Sequence, residues 1–146
     1  MTNAMSLEML AERLPEATVR ACERRLRELN QRVGGRVSSV LAGPDGLEVA
    51  TQVERTQSGP KLAALASTLA AVGEALTRET GLAACDALIV ETKEGAAVIQ
   101  AIPAGDDRFS LVLVAQDRAL LGKLLLIAKE SGAAIGRELA SRTEIA

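Results

Sequence analysis

The chain has 146 residues, 48% apolar and 25% charged, with a formal net charge of −2; this is the make-up of one globular domain and excludes a disordered chain or a basic nucleic-acid binder. It holds no histidine, tryptophan or tyrosine and a single phenylalanine, Phe109, so the commonest general base and metal ligand are missing and nucleic-acid bases have no aromatic platform to stack on. Cys22 and Cys85 form no CxxC pair and read as reduced, buried apolar side chains, so no catalytic residue, metal site or cofactor is assigned.

In chain order, residues 1–14 form an N-terminal extension in which Leu7, Leu10 and Leu14 recur at helical spacing behind Ser6, a capping residue, so a short helix is expected before Pro15. Glu8 and Glu12 precede the first basic residue, Arg13, unlike the basic start of a secretory leader. Residues 62–73, the longest uncharged helical stretch, are well short of the ~20 a bilayer crossing requires. A cytoplasmic protein without membrane insertion is expected, with its domain over residues 15–141 and a polar tail over 142–146.

Residues 15–33 place Val19, Cys22, Leu26, Leu29 and Val33 on one narrow helical stripe, ended by Gly34 and Gly35. Glu16 with Arg20, Glu23 with Arg27 and Glu28 with Arg32 put an acid four positions ahead of a base, each pair contributing about 0.2–0.5 kcal/mol. Gly43-Pro44-Asp45-Gly46 then reads as a turn between strands 36–42 and 47–53. The second strand alternates Leu47, Val49, Thr51 and Val53 with Glu48, Ala50, Gln52 and Glu54, which predicts an edge position with one wet face.

A second helix is expected over residues 61–80, closed by Gly81. Strands follow over 86–92, 96–103 and 109–116, apolar at consecutive positions and therefore expected to be covered on both faces. Asp117 can cap a last helix running to about residue 140, with Leu121, Leu124, Ala128, Gly132, Ile135 and Leu139 on one face. Gly132 and Gly136 each cost about 1 kcal/mol relative to Ala in a helix interior, which fits either close approach of another helix or a break at Ser131-Gly132. The element order αββαβββα belongs to one α+β domain, its sheet between helices.

The second helix has more apolar surface than a sheet-covering helix needs. Leu62, Leu65, Leu69, Val72 and Leu76 form a large stripe, expected on the sheet. Ala63, Ala66, Ala70, Gly73 and Thr77 form a small-residue stripe, expected to meet the same helix of a second copy around a two-fold axis. The competing reading is that alanine, a strong helix former, tolerates exposure there. If strand 86–92 lies at a sheet edge, its Ala87-Leu88-Ile89-Val90 run is an unguarded apolar edge that pairing with its mate would remove. Leu88 and Val90 therefore join the candidate dimer interface.

The hairpin Val37-Ser38-Ser39-Val40-Leu41-Ala42-Gly43-Pro44-Asp45-Gly46-Leu47-Glu48-Val49-Ala50, the Ala/Leu-rich helix, Ile89-Val90-Glu91 before Glu94-Gly95, and Leu121-Gly122-Lys123-Leu124 resemble the roadblock/dynein light chain family over residues 19–140. Within it they are similar to the bacterial regulators of Ras-like GTPases used in gliding motility and cell polarity. The resemblance implies a profilin-like five-stranded antiparallel sheet, with the second helix on one face and the first and last on the other. It also implies a homodimer in which third strands pair and second helices pack together. Residues 1–14 have no counterpart in it.

The function the resemblance implies is a non-catalytic homodimeric adaptor that binds a Ras-like small GTPase and modulates its nucleotide cycle or localisation. The alternative is a structural scaffold subunit without a GTPase partner. Arg108, expected in a turn, is a candidate for supplying a guanidinium to phosphoryl transfer in trans. A ligand cavity between sheet and helix would draw on Ser38, Ser39, Gln100 and Ser110, and an enzyme would draw on Glu91, Glu94, Asp106 and Asp107.

Overall fold

The computed structural model describes residues 14–145, with side chains for 14–141; the helix expected over 5–14 lies, Leu14 apart, outside the described residues. The elements are α1 (Glu16–Val33), β1 (Val37–Ala42), β2 (Glu48–Gln52), α2 (Gly59–Thr80), β3 (Ala87–Glu91), β4 (Ala96–Ala104), β5 (Asp107–Ala115) and α3 (Leu121–Ile145), the last preceded by a single 3-10 turn at Arg118–Leu120. The strands form one sheet in the order β2-β1-β5-β4-β3, with every neighbouring pair antiparallel.

The β1–β2 hairpin closes where the Pro-Asp-Gly signal places it. Gly43 N–H donates to the Leu47 carbonyl at 2.8 Å, Gly46 N–H to the Gly43 carbonyl at 3.0 Å, and Leu47 N–H to Asp45 Oδ1 at 3.1 Å. Gly46 has φ +82°, a conformation that favours glycine. β2 is an edge strand, as its alternation predicts, but the face expected to be wet is partly covered: Ala50 is buried against the α1 side of the core, whereas Leu47 is exposed. The reason is that α1 lies across this strand, where Asn30 Nδ2 donates to the Gln52 carbonyl at 3.1 Å.

Helices α1 and α3 cover one face of the sheet. Their contribution to the core includes Cys22, Leu26, Leu29, Val33, Leu124, Ala128, Ile135 and Leu139, packed on Leu41, Val98, Phe109, Leu111 and Leu113 of the strands. Each fully buried Leu or Ile contributes about 1.5–3 kcal/mol. The two helices run antiparallel, tied by Arg25 to Glu138 at 3.1 Å, Arg32 to Glu130 at 2.7 Å, and Lys123 Nζ to the Val33 carbonyl at 3.0 Å. Arg32 thus reaches across to α3 rather than back to Glu28, and of the three expected acid–base pairs along α1 the one between Glu16 and Arg20 is formed.

Helix α3 continues unbroken through Gly132 and past residue 140 to Ile145. Its glycines do admit a close approach, but of a strand and not of another helix. A β-carbon at Gly132 would lie 3.2 Å from Gln100 Cγ, and one at Gly136 would lie 3.4 Å from Ile102 Cγ2.

On the other face α2 stands alone, over Val40, Ala42, Ile99 and Val112. β3 departs from the expectation of cover on both faces: it pairs only with β4, and Ile89 and Val90 are 51% and 44% exposed. Its apolar run is not a buried-strand signature but an uncovered edge.

Candidate self-association surface

Helix α2 is capped by Ser58, whose Oγ accepts from Lys61 N–H at 3.3 Å, with proline in its first turn. The faces of this helix depart from those expected: the small residues meet the sheet, and the large stripe is divided between sheet and exterior. Ala63 and Ala66 are fully buried on the protomer's own sheet, with Leu62 and Leu69 half-buried beside them. Gly73 is buried too, because Cys85 and Leu88 press against it. Small side chains let the helix axis settle close onto Val40, Ile99 and Val112, so the alanine stripe is the sheet-packing face. The large residues point away: Leu65, Val72 and Leu76 are 58%, 58% and 59% exposed.

Of the seven candidate interface residues, Ala63, Ala66 and Gly73 are therefore already covered by their own protomer. Ala70 and Thr77 are half-buried, Thr77 Oγ1 donating to the Glu74 carbonyl at 2.8 Å. Leu88 packs under α2, and Val90, two residues on and so on the same face of β3, is open. The surface left uncovered on this side consists of Leu65, Val72 and Leu76 of α2 with Val90 of the sheet edge. The extra apolar face of α2 and the open edge of β3 are both present, but the large stripe expected on the sheet is split: Leu62 and Leu69 pack there while Leu65, Val72 and Leu76 stay exposed.

The other candidate sites are not assembled. Arg108 lies in β5 rather than a turn and is already engaged, 2.7 Å from a Glu74 carboxylate oxygen and donating to the Cys85 carbonyl. Between α2 and the sheet, the space beside Ala70, Glu74, Cys85 and Ser110 measures about 10 Å³, room for no more than about one water. Ser38 Oγ accepts from Glu54 N–H at 2.8 Å, Gln100 Nε2 donates to the Asp86 carbonyl at 3.2 Å, and the buried Ser39 Oγ has no partner. Glu91 pairs with Arg118 at 3.1 Å. Burial, reinforced by Glu138 and Glu23 and opposed by Arg25, pushes the Cys22 thiol up to about 11, which keeps it protonated and unreactive at neutral pH.

Among the described residues no group of three or more Cys, Asp or Glu side chains converges to hold a metal ion, and no helix is long and apolar enough to cross a membrane. No family sequence model matches the chain, and no curated protein matches it. Solved structures do match. A gliding protein MglB from Thermus thermophilus superposes with a TM-score of 0.74 at 23% identity, over 88% of this chain and 95% of that one. An MglB in a tetrameric arrangement gives a TM-score of 0.74 at 22% identity, over the same shares. A roadblock/LC7 domain from Streptomyces avermitilis gives 0.58 at 23% identity, over 84% of this chain and 91% of that one.

The chain has the roadblock/LC7 fold. In this fold the lone helix lies mainly over β1 and β5 and meets the open β3 edge where Gly73 packs against Cys85 and Leu88. Together they carry the exposed large apolar residues of α2 and Val90.

Proposed function

We propose that this chain is a non-catalytic homodimeric adaptor that binds a Ras-like small GTPase and modulates its nucleotide cycle or localisation. The observation that carries the reading is the exposure of Leu65, Val72 and Leu76 on α2 together with a β3 edge that has no neighbouring strand. β3 offers a row of unpaired backbone groups, and Ala87–Glu91 contains neither proline nor lysine to discourage pairing. Antiparallel pairing of β3 with its mate around a two-fold axis would join two sheets into one and lay the α2 helices side by side, burying their leucines. Self-association is also supported by the likeness to an MglB that is itself tetrameric.

The GTPase partner is supported by the resemblance in the hairpin, helix and strand motifs and by the likeness to MglB gliding proteins. Such a dimer acts by differential affinity: it shifts the GTPase toward the nucleotide state it binds better and need supply no chemistry of its own. The test is binding of a purified Ras-like small GTPase, loaded with GDP or with a non-hydrolysable GTP analogue, to the full chain. At least about tenfold preference for one state, equivalent to about 1.4 kcal/mol, is expected. Equal affinity for both states with unaltered hydrolysis, or no binding to either, contradicts the reading.

A further inference from the structure

We propose that Arg108 is the positioning residue of the docking face, the group that fixes the β3 edge at one angle to α2; this rests on the self-association reading of that face. The guanidinium starts on β5, opposite Pro103 of β4, and reaches two other elements with two different nitrogens. Nη1 lies 2.7 Å from Glu74 Oε1 on α2, and Nη2 donates to the Cys85 carbonyl, two residues before β3 begins. Cys85 is held from its other side as well, because its sulfur sits against Gly73, where a β-carbon would come within 2.9 Å. One residue of the connecting segment is therefore gripped by α2 and β5 together.

Leu88 packs under α2 and Glu91 pairs with Arg118, but only Arg108 joins α2 to the segment before β3 through charged and hydrogen-bonded contacts among those described. β3 has one neighbouring strand, and beyond that ladder its entry is anchored by Asp86, whose carbonyl accepts from Ala101 N–H at 2.8 Å and from Gln100 Nε2 at 3.2 Å. The docking face is split between the two bodies that Arg108 joins, with Val72 and Leu76 on the outer side of α2, away from Glu74, and Val90 on β3. A symmetric interface needs both copies to present these bodies at the same angle, since each patch meets its own equivalent. A planar guanidinium that donates to the Cys85 carbonyl with one nitrogen and forms an ion pair with Glu74 through another sets such an angle, whereas a lysine ammonium is a single point charge. Without the guanidinium, the half-buried Glu74 carboxylate loses its cation and the Cys85 carbonyl its donor.

The test uses the full chain and three variants: Arg108→Met, Arg108→Lys and Glu74→Gln. Backbone hydrogen exchange is followed by mass spectrometry at a concentration where all samples are associated, and the dissociation constant is measured by sedimentation. In Arg108→Met, amides of residues 82–91 are expected to exchange about tenfold faster or more while those of β1 and β5 keep their rates, the mark of local rather than global opening. The dimer dissociation constant is expected to rise about tenfold. Arg108→Lys is expected to follow Arg108→Met, and Glu74→Gln to show a smaller acceleration in the same segment.

Unchanged exchange overturns the proposal. So does acceleration spread evenly through the molecule, which marks a general stability role, and so does local acceleration with an unchanged dissociation constant. A wild-type chain that sediments as a monomer removes the self-association reading instead. The exchange arm then decides alone whether Arg108 fixes β3 against α2.

Discussion

Gly73 lies against Cys85 so closely that a β-carbon at position 73 would stand 2.9 Å from the Cys85 sulfur and 3.4 Å from Leu88 Cδ1. This contact places the small-residue face of α2 on the chain's own sheet, with Leu65, Val72 and Leu76 left outside. A protein that hid its leucines and exposed its alanines would gain more from folding alone, since burial of apolar area drives folding. The arrangement found here leaves Leu65, Val72 and Leu76 exposed, the surface that the proposed second copy would cover.

The two faces are told apart by a pair of neighbouring substitutions. Ala66→Glu puts a carboxylate into a fully buried site and is expected to cost on the order of 4 kcal/mol, a large part of a typical domain's stability. Leu65→Glu changes an exposed position and is expected to keep a native far-ultraviolet circular dichroism spectrum and a cooperative urea transition. Measuring both transitions checks the face assignment; the reverse order of stabilities would contradict it.

The β3–β4 connection supplies a second test. Gly95 is buried, its N–H donates to Thr92 Oγ1 at 3.0 Å, and a β-carbon there would fall 2.3 Å from the Ala115 carbonyl oxygen. A backbone carbonyl cannot swing aside as a flexible side chain can. Gly95→Ala is expected to cost about 2 kcal/mol or more, read as a lower urea midpoint at unchanged slope. Thr92→Val, which loses only the hydroxyl contacts, is expected to cost about 1 kcal/mol.

Element order, the Gly43–Gly46 turn and the edge position of β2 were legible in the sequence because each follows from local chemistry: backbone conformation at glycine, fixed φ at proline, and side-chain alternation. The two stripes of α2 were legible as stripes, but not which one meets the sheet. Periodicity reports that residues share a face and is silent on what covers it. The rule that the larger side chains go inside fails on α2, where Ala63 and Ala66 are buried and Leu65, Val72 and Leu76 are exposed. The same gap applies to β3, since Ala87-Leu88-Ile89-Val90 reads identically whether helices cover it or a second strand does. Arg108 could not be placed from spacing at all, because Glu74 and Cys85 become its neighbours only when β5, α2 and the connecting segment converge.

Cys22 gives the stability a defined alkaline limb. Its folded value of about 11 lies above the ordinary 9.0, so the native state keeps the proton that the unfolded chain releases, and stability falls as pH rises from about 9 to about 11. The loss is on the order of 2 kcal/mol. In urea titrations across this range the stability gap between wild type and Cys22→Ala is expected to narrow, because the variant has no thiol to ionise. At neutral pH a thiol reagent is expected to label the half-buried Cys85 readily and Cys22 only after unfolding.

Sedimentation equilibrium of the full chain beside Val72→Glu tests the central claim most directly. The wild type is expected to give the mass of two chains at micromolar concentration, and Val72→Glu the mass of one chain with its fold retained. A wild type that sediments as a single chain, or a Val72→Glu variant that dimerises as tightly as the wild type, would contradict the account.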